Sequence, residues 1–142
     1  MKVYNIVPIN RSVSFGEKTP IAKQAMSELR VFTHHIYEYK KGIRNLILTT
    51  EKSKYKNIIE DRLKKENIPY KIDEIGNNKI NVYFGAEECI NVVKTFNSKL
   101  YDLTAEQDFM LGIMLGYDRV KQCTRYTNIK NGKIKLGKQP LE

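Results

Sequence analysis

IPYKIDEIGNNKINVYFG, residues 68–85, decides the fold. Ile68, Tyr70 and Ile72 alternate with polar residues, and Ile80, Val82 and Phe84 do so again. A period of two marks strands that bury one face. Gly76-Asn77-Asn78 lies between the two runs, and glycine and asparagine tolerate the left-handed backbone of a tight turn. The stretch predicts a β-hairpin.

Reading outward from the hairpin, RNLILTT (residues 44–50) is a short apolar run with threonines, which predicts a buried strand. EKSKYKNIIEDRLKKEN, residues 51–67, gathers Tyr55, Ile58, Ile59 and Leu63 on one side and predicts a helix. A strand, a crossover helix and a second strand imply a parallel pair with a right-handed connection. Upstream, Thr19-Pro20 offers a helix start, and Gly42 suits the left-handed stop after Lys41. Leu29, Phe32, Ile36 and Tyr39 form its buried stripe. Downstream, a helix over 86–96 turns Ile90 and Val93 inward. In the last helix Thr104 and Gln107 have the spacing of a capping box. The predicted order is α-β-α-β-β-α-α. The fold class is α/β (α+β), a small mixed three-stranded sheet covered by about four helices.

The sequence of 142 residues fits one domain over 20–127, with a mobile arm at 1–19 and a mobile tail at 128–142, where Asn131-Gly132 suits the turn of a weak hairpin. No apolar run approaches the roughly 18 residues of a membrane span, and the first residues lack a secretory pattern. Cys89 and Cys123 are too few for a zinc site or a disulfide scaffold. A cytoplasmic protein with reduced thiols, no metal, no cofactor and no membrane contact is the expectation. The formal net charge of +9 favours acidic partners. Lysine dominates, which gives a diffuse field rather than forked contacts to phosphate. Residues 67–103 are slightly acidic, and the flanking segments are basic.

THHIYEYKKGIRNL, residues 33–46, carries both histidines. Adjacent residues do not share a helix face, so His34 and His35 cannot grip one ion together. His34 faces away from the core and can pair with Glu38, whereas His35 sits at the margin of the apolar stripe. Acid–base work by His35, Tyr37, Glu38 and Arg44 is one reading, since imidazole titrates near neutrality. No nucleophile or phosphate loop accompanies them.

DFMLGIMLGYDRVKQCTRY, residues 108–126, places Phe109, Ile113, Gly116, Val120 and Cys123 on one face of a continuous helix, with Gly112 beside them. Each interior glycine costs about 1 kcal/mol relative to alanine. Two of them four apart imply a close neighbour. Leu111, Met114 and Leu115 lie away from that face, so the helix is apolar nearly all round and is buried on two sides. Burial inside the chain, a subunit interface and a ligand notch all satisfy this pattern.

FTHHIYEYKKGIRNLILTT, VYFGAEECINVVKTF and AEQDFMLGIMLGYDRVKQCTRY, three segments in order, resemble the small bacterial proteins grouped as the DUF2023 family, a domain of unknown function. The resemblance covers roughly residues 30–127. It implies a compact α/β domain of about three strands that forms a homodimer. Members encoded beside flavodoxins imply an acidic flavodoxin as partner. It carries no catalytic residues. The leading expectation is thus a non-enzymatic, homodimeric interaction protein. It would pair through Leu111, Gly112, Met114, Leu115 and Gly116. It would dock an acidic protein on Lys40, Lys41, Arg44, Lys52 and Lys56. The alternatives are a nucleic-acid binder that uses its lysine-rich helix and basic tails, and a small enzyme built on His35, Tyr37, Glu38 and Arg44.

Overall fold

The computed structural model describes residues 20–96 and 99–135. The expected arm with its Thr19 cap, and the tail beyond residue 135, lie outside the described residues. Helices α1 (Pro20–Glu28) and α2 (Arg30–Lys40) lead into β1 (Leu46–Lys52). A 3-10 turn, Ser53–Tyr55, opens α3 (Lys56–Lys65). The hairpin β2 (Tyr70–Gly76) and β3 (Lys79–Gly85) follows, then α4 (Glu87–Lys94), α5 (Ala105–Met114) and α6 (Arg119–Lys130). The fold is α+β, as the periodicities imply.

Asn77 and Asn78 both have left-handed φ, 55° and 58°, and Gly76 pairs with Lys79. This is the two-residue turn whose twist matches that of the flanking strands. The pairing of β1 differs from the expectation. Strand order is β1-β3-β2, and both ladders are antiparallel. β1 and β2 run in the same direction, as a crossover demands, but β3 lies between them, so the sheet is not mixed. The reason is burial. Every residue of β3 from Ile80 to Gly85 is buried, whereas β1 and β2 carry half-exposed positions. The most apolar strand takes the centre, where both faces and both edges are covered.

Two cores result. Leu29 at the junction of α1 and α2, and Phe32 and Ile36 of α2, pack with Tyr55, Ile59 and Leu63 on Ile47, Ile80, Val82 and Phe84. Phe32 meets Phe84 edge-on at 5.7 Å. On the other face, Ile90, Val93, Leu111 and Leu115 pack on Leu46 and Tyr83. Ile58, expected in the buried stripe of α3, is 39% exposed. The predicted first helix bends at Leu29, where φ is −98° and ψ 14°. Gly42 ends α2 with φ +78°, and its N–H donates to the Tyr39 carbonyl.

The continuous last helix does not exist. Gly116 has φ +86°, and the N–H of Tyr117 reaches back to the Gly112 carbonyl. That is a helix stop. Asp118 then caps α6, its carboxylate accepting from the Lys121 N–H at 2.9 Å. The capping box that opens α5 is formed, with Gln107 N–H to Thr104 Oγ1 and Thr104 N–H to Gln107 Oε1, both 3.1 Å. Asn131-Gly132 closes α6, with Gly132 at φ +77°, and does not turn a hairpin.

Candidate functional site

The break at Gly116 redistributes the residues expected at a subunit interface. Leu111 and Leu115 are buried in the protomer's own core, and Met114 packs against the same cluster. Gly112 is buried and Gly116 is exposed. The apolar helix therefore has its cover within the chain, because α5 lies between the sheet and α6. The close neighbour is found at Gly112 alone: a Cβ there would collide with the Gln122 side-chain amide. At Gly116 a Cβ would meet nothing, so that glycine serves backbone conformation.

α6 is joined to α5 by polar contacts. Arg125 Nε and Nη2 donate to the two carboxylate oxygens of Asp108 at 2.8 and 3.2 Å, with both side chains nearly buried. Tyr126 donates to Glu106, Lys130 pairs with the same carboxylate, and Tyr126 stacks obliquely on Phe109. Gln122 is the buried residue of α6, and its Oε1 has no hydrogen-bond partner among the described residues.

The histidines separate, as their helical phase requires. His34 is exposed and lies 3.7 Å from Glu38. His35 is half-buried, with Nδ1 3.0 Å from Glu38 Oε1, and Arg44 lies 3.6 Å from that oxygen. The hydrogen bond with His35 holds the Glu38 carboxyl below the usual range. Burial pushes Glu51 up, against the Thr49 hydroxyl and the field of His35. Two carboxylates around one imidazole thus lean in opposite directions. Tyr37 does not join them. It is exposed, stacks on His34 and lies under Lys41. Among the described residues no group of three or more His, Cys, Asp and Glu could hold a metal ion.

The basic residues expected to form a docking patch are mostly engaged. Lys40 pairs with Glu66 at 2.6 Å, Arg44 with Glu38, Lys52 with Glu28 at 3.1 Å and Lys56 with Glu74 at 3.4 Å. Apart from Glu38, which is six residues from Arg44, these partners come from distant parts of the chain, and short-range spacing could not reveal them. Lys41 is exposed and has no carboxylate within pairing distance among the described residues.

Sequence reasoning missed an open groove along the outer side of β2. Lys64, Ile68, Tyr70, Lys71, Ile72 and Lys94 line it. Lys64 closes the last turn of α3 and Lys94 that of α4. Both are exposed, and neither pairs with a carboxylate among the described residues. Lys71 pairs with Asp73 at 2.7 Å and lies over the Tyr83 ring. The floor is apolar: Ile68 is buried, and Tyr70 and Ile72 pack against the α3-side core. This arrangement can attract an acidic surface and hold an apolar side chain. Lysines in the last turns of two helices were visible in the sequence; their meeting at one strand edge was not.

The chain is a small three-stranded α+β domain with a basic, apolar-floored groove beside β2. More particularly, a family model described as "Protein of unknown function (DUF2023)" matches residues 30–129, and the chain belongs to that family. No curated protein matches it. No helix among the described residues is long and apolar enough to cross a membrane.

Proposed function

We propose that this chain is a non-enzymatic docking module for an acidic protein, with flavodoxin the named candidate. The supporting observation is where the positive charge is left over. Lys40, Arg44, Lys52 and Lys56 spend their charge on the chain's own carboxylates. Lys41, Lys54, Lys64, Lys65 and Lys94 have no carboxylate partner among the described residues, and of these Lys64 and Lys94 flank an apolar floor. The docking surface is accordingly the groove beside β2 rather than the junction of α2 and α3. Self-association, if it occurs, uses another surface than Leu111 and Leu115, which fill the protomer's core.

The test is association with an acidic flavodoxin, followed by stopped flow at several salt concentrations, with duplex DNA in a parallel titration. Attraction of this kind acts mainly on encounter and fades as the Debye length falls from about 10 Å at 0.1 M to about 3 Å at 1 M. Lys64→Glu with Lys94→Glu should slow association about tenfold at low salt and leave the fold intact. Lys41→Glu, outside the groove, should change it far less. Tight DNA binding near physiological salt, with no flavodoxin binding at low salt, would overturn the proposal in favour of nucleic acid.

A further inference from the structure

The groove has a feature that charge alone does not use, outer main-chain groups of β2 that have no hydrogen-bond partner among the described residues. Gly85 N–H donates to the Pro69 carbonyl, which makes residues 69 and 85 a bonded pair. In an antiparallel ladder bonded and non-bonded pairs alternate. Lys71 with Tyr83 and Asp73 with Asn81 are then the next bonded pairs in the register. The main-chain groups of Tyr70, Ile72 and Glu74 therefore point away from β3, toward the groove side. One contact checks this parity independently: Lys99 Nζ donates to the Glu74 carbonyl at 2.6 Å from outside the sheet. Lys99 thus closes one end of the edge, and Tyr70 and Ile72 present two N–H and two C=O groups in line.

We propose that this edge takes an extended acidic segment of a partner protein as a fourth strand. The inference rests on the docking role above and specifies how docking occurs. An added strand gains affinity from main-chain hydrogen bonds and selectivity from its alternate side chains. Tyr70 and Ile72 face the α3 side of the sheet, where Lys64 lies. Lys71 faces the α4 side, where it meets Tyr83 and where Lys94 lies. A strand laid between them meets an ammonium on each face and an apolar surface on one. Acidic residues on both faces and a branched apolar residue on the α3 face fit that pattern.

Other occupants fit less well. Residues 1–19 are net basic, and the seven residues beyond 135 are neutral in sum. A second copy would bring two sets of Lys64 and Lys94 together, and edge lysines repel such self-pairing. Duplex DNA makes no use of an apolar floor or a strand edge.

The test uses the full chain and a labelled eight-residue peptide alternating Glu and Val, followed by fluorescence anisotropy. Two further peptides carry N-methyl groups on one or the other alternate set of residues. Their charge is unchanged, but they cannot donate from that edge. One of the two should bind about tenfold more weakly than the parent. Ile72→Pro removes the outward N–H and spares the ladder to β3, and it should weaken the parent peptide similarly. Equal binding of all three peptides would overturn strand pairing even if Ile72→Pro fails to fold. A wild-type dimer that Ile72→Pro dissociates would also overturn it, since a second copy would own the edge. Flavodoxin binding without peptide binding would sink the strand mode and leave the docking role standing. Absence of both would sink the two together.

Discussion

Arg125→Met tests whether α6 is held by charge rather than by apolar packing. The substitution keeps most of the side-chain stem and removes both hydrogen bonds to Asp108, which is 2% exposed. Breaking a buried pair from one side costs about 3–5 kcal/mol, because the remaining charge is left desolvated. Against that cost α6 sets the exposed contacts of Tyr126 and Lys130 with Glu106 and the Tyr126–Phe109 ring contact. Gln122 is its buried residue, and Gln122 Oε1 has no hydrogen-bond partner among the described residues. Detaching α6 lets water reach Asp108 and relieves the cost. The loss should therefore appear as local opening, and the global urea midpoint should move less than the full penalty implies. Native-state hydrogen exchange separates the two outcomes. Amides of 122–130 should lose about a hundredfold or more in protection, at about 1.36 kcal/mol per tenfold, while those of β3 change little. Asp108→Leu combined with Arg125→Met should recover much of the loss, since an apolar replacement of both partners leaves no stranded charge. Unchanged α6 protection in Arg125→Met, or equal losses in α6 and β3, would refute the reasoning.

Three further outcomes follow from the geometry. Gly116→Ala should cost about 1–2 kcal/mol, from left-handed strain at φ +86°. Gly116→Leu should cost about the same, because no atom is near; urea melts in which leucine is much worse than alanine would restore the overpacking view. Thr104→Ala should lose about 1 kcal/mol through the capping box, measured in the same melts; an unchanged midpoint would show that the box contributes nothing. Hydrogen bonds from Tyr55, then Lys52 and Gln24, lower the Glu28 carboxyl from 4.5 to about 2. Its contribution is present above the unfolded value and is lost as pH falls from about 4.5 toward 2. Exchange at α1 amides should quicken across that window in the wild type but not in Glu28→Gln; superimposable profiles would sink this assignment.

Local signals in the sequence were read correctly where a few adjacent residues carry the whole cause. Asn77-Asn78 supply the turn, Thr104 and Gln107 the cap, Gly42 the stop, and Phe32 with Ile36 the stripe. Gly116 was misread for a physical reason. A glycine four residues after Gly112 looks like a packing notch when the apolar pattern continues past it, and only the return of Tyr117 N–H to Gly112 shows the stop. The place of β3 could not be read from alternation, which reports buried faces but not neighbours. The candidate site was the least legible part. Its residues come from the ends of α3 and α4 and from the edge of β2, and whether a lysine is free depends on acids such as Glu66 and Glu74 brought in by the fold.

The central place of β3 also sets the order in which the chain can become a sheet during synthesis. β2 and β3 meet across two residues, so their ladder can close as soon as Gly85 clears the ribosome. β1 and α3 have by then waited without a strand to join, at about 5–20 residues added per second, with Leu46 and Ile47 uncovered. The nascent hairpin becomes the template on which the earlier strand is captured, and the long closure between them comes after the short one. Until β3 has emerged, the apolar half of β1 therefore has no strand to pair.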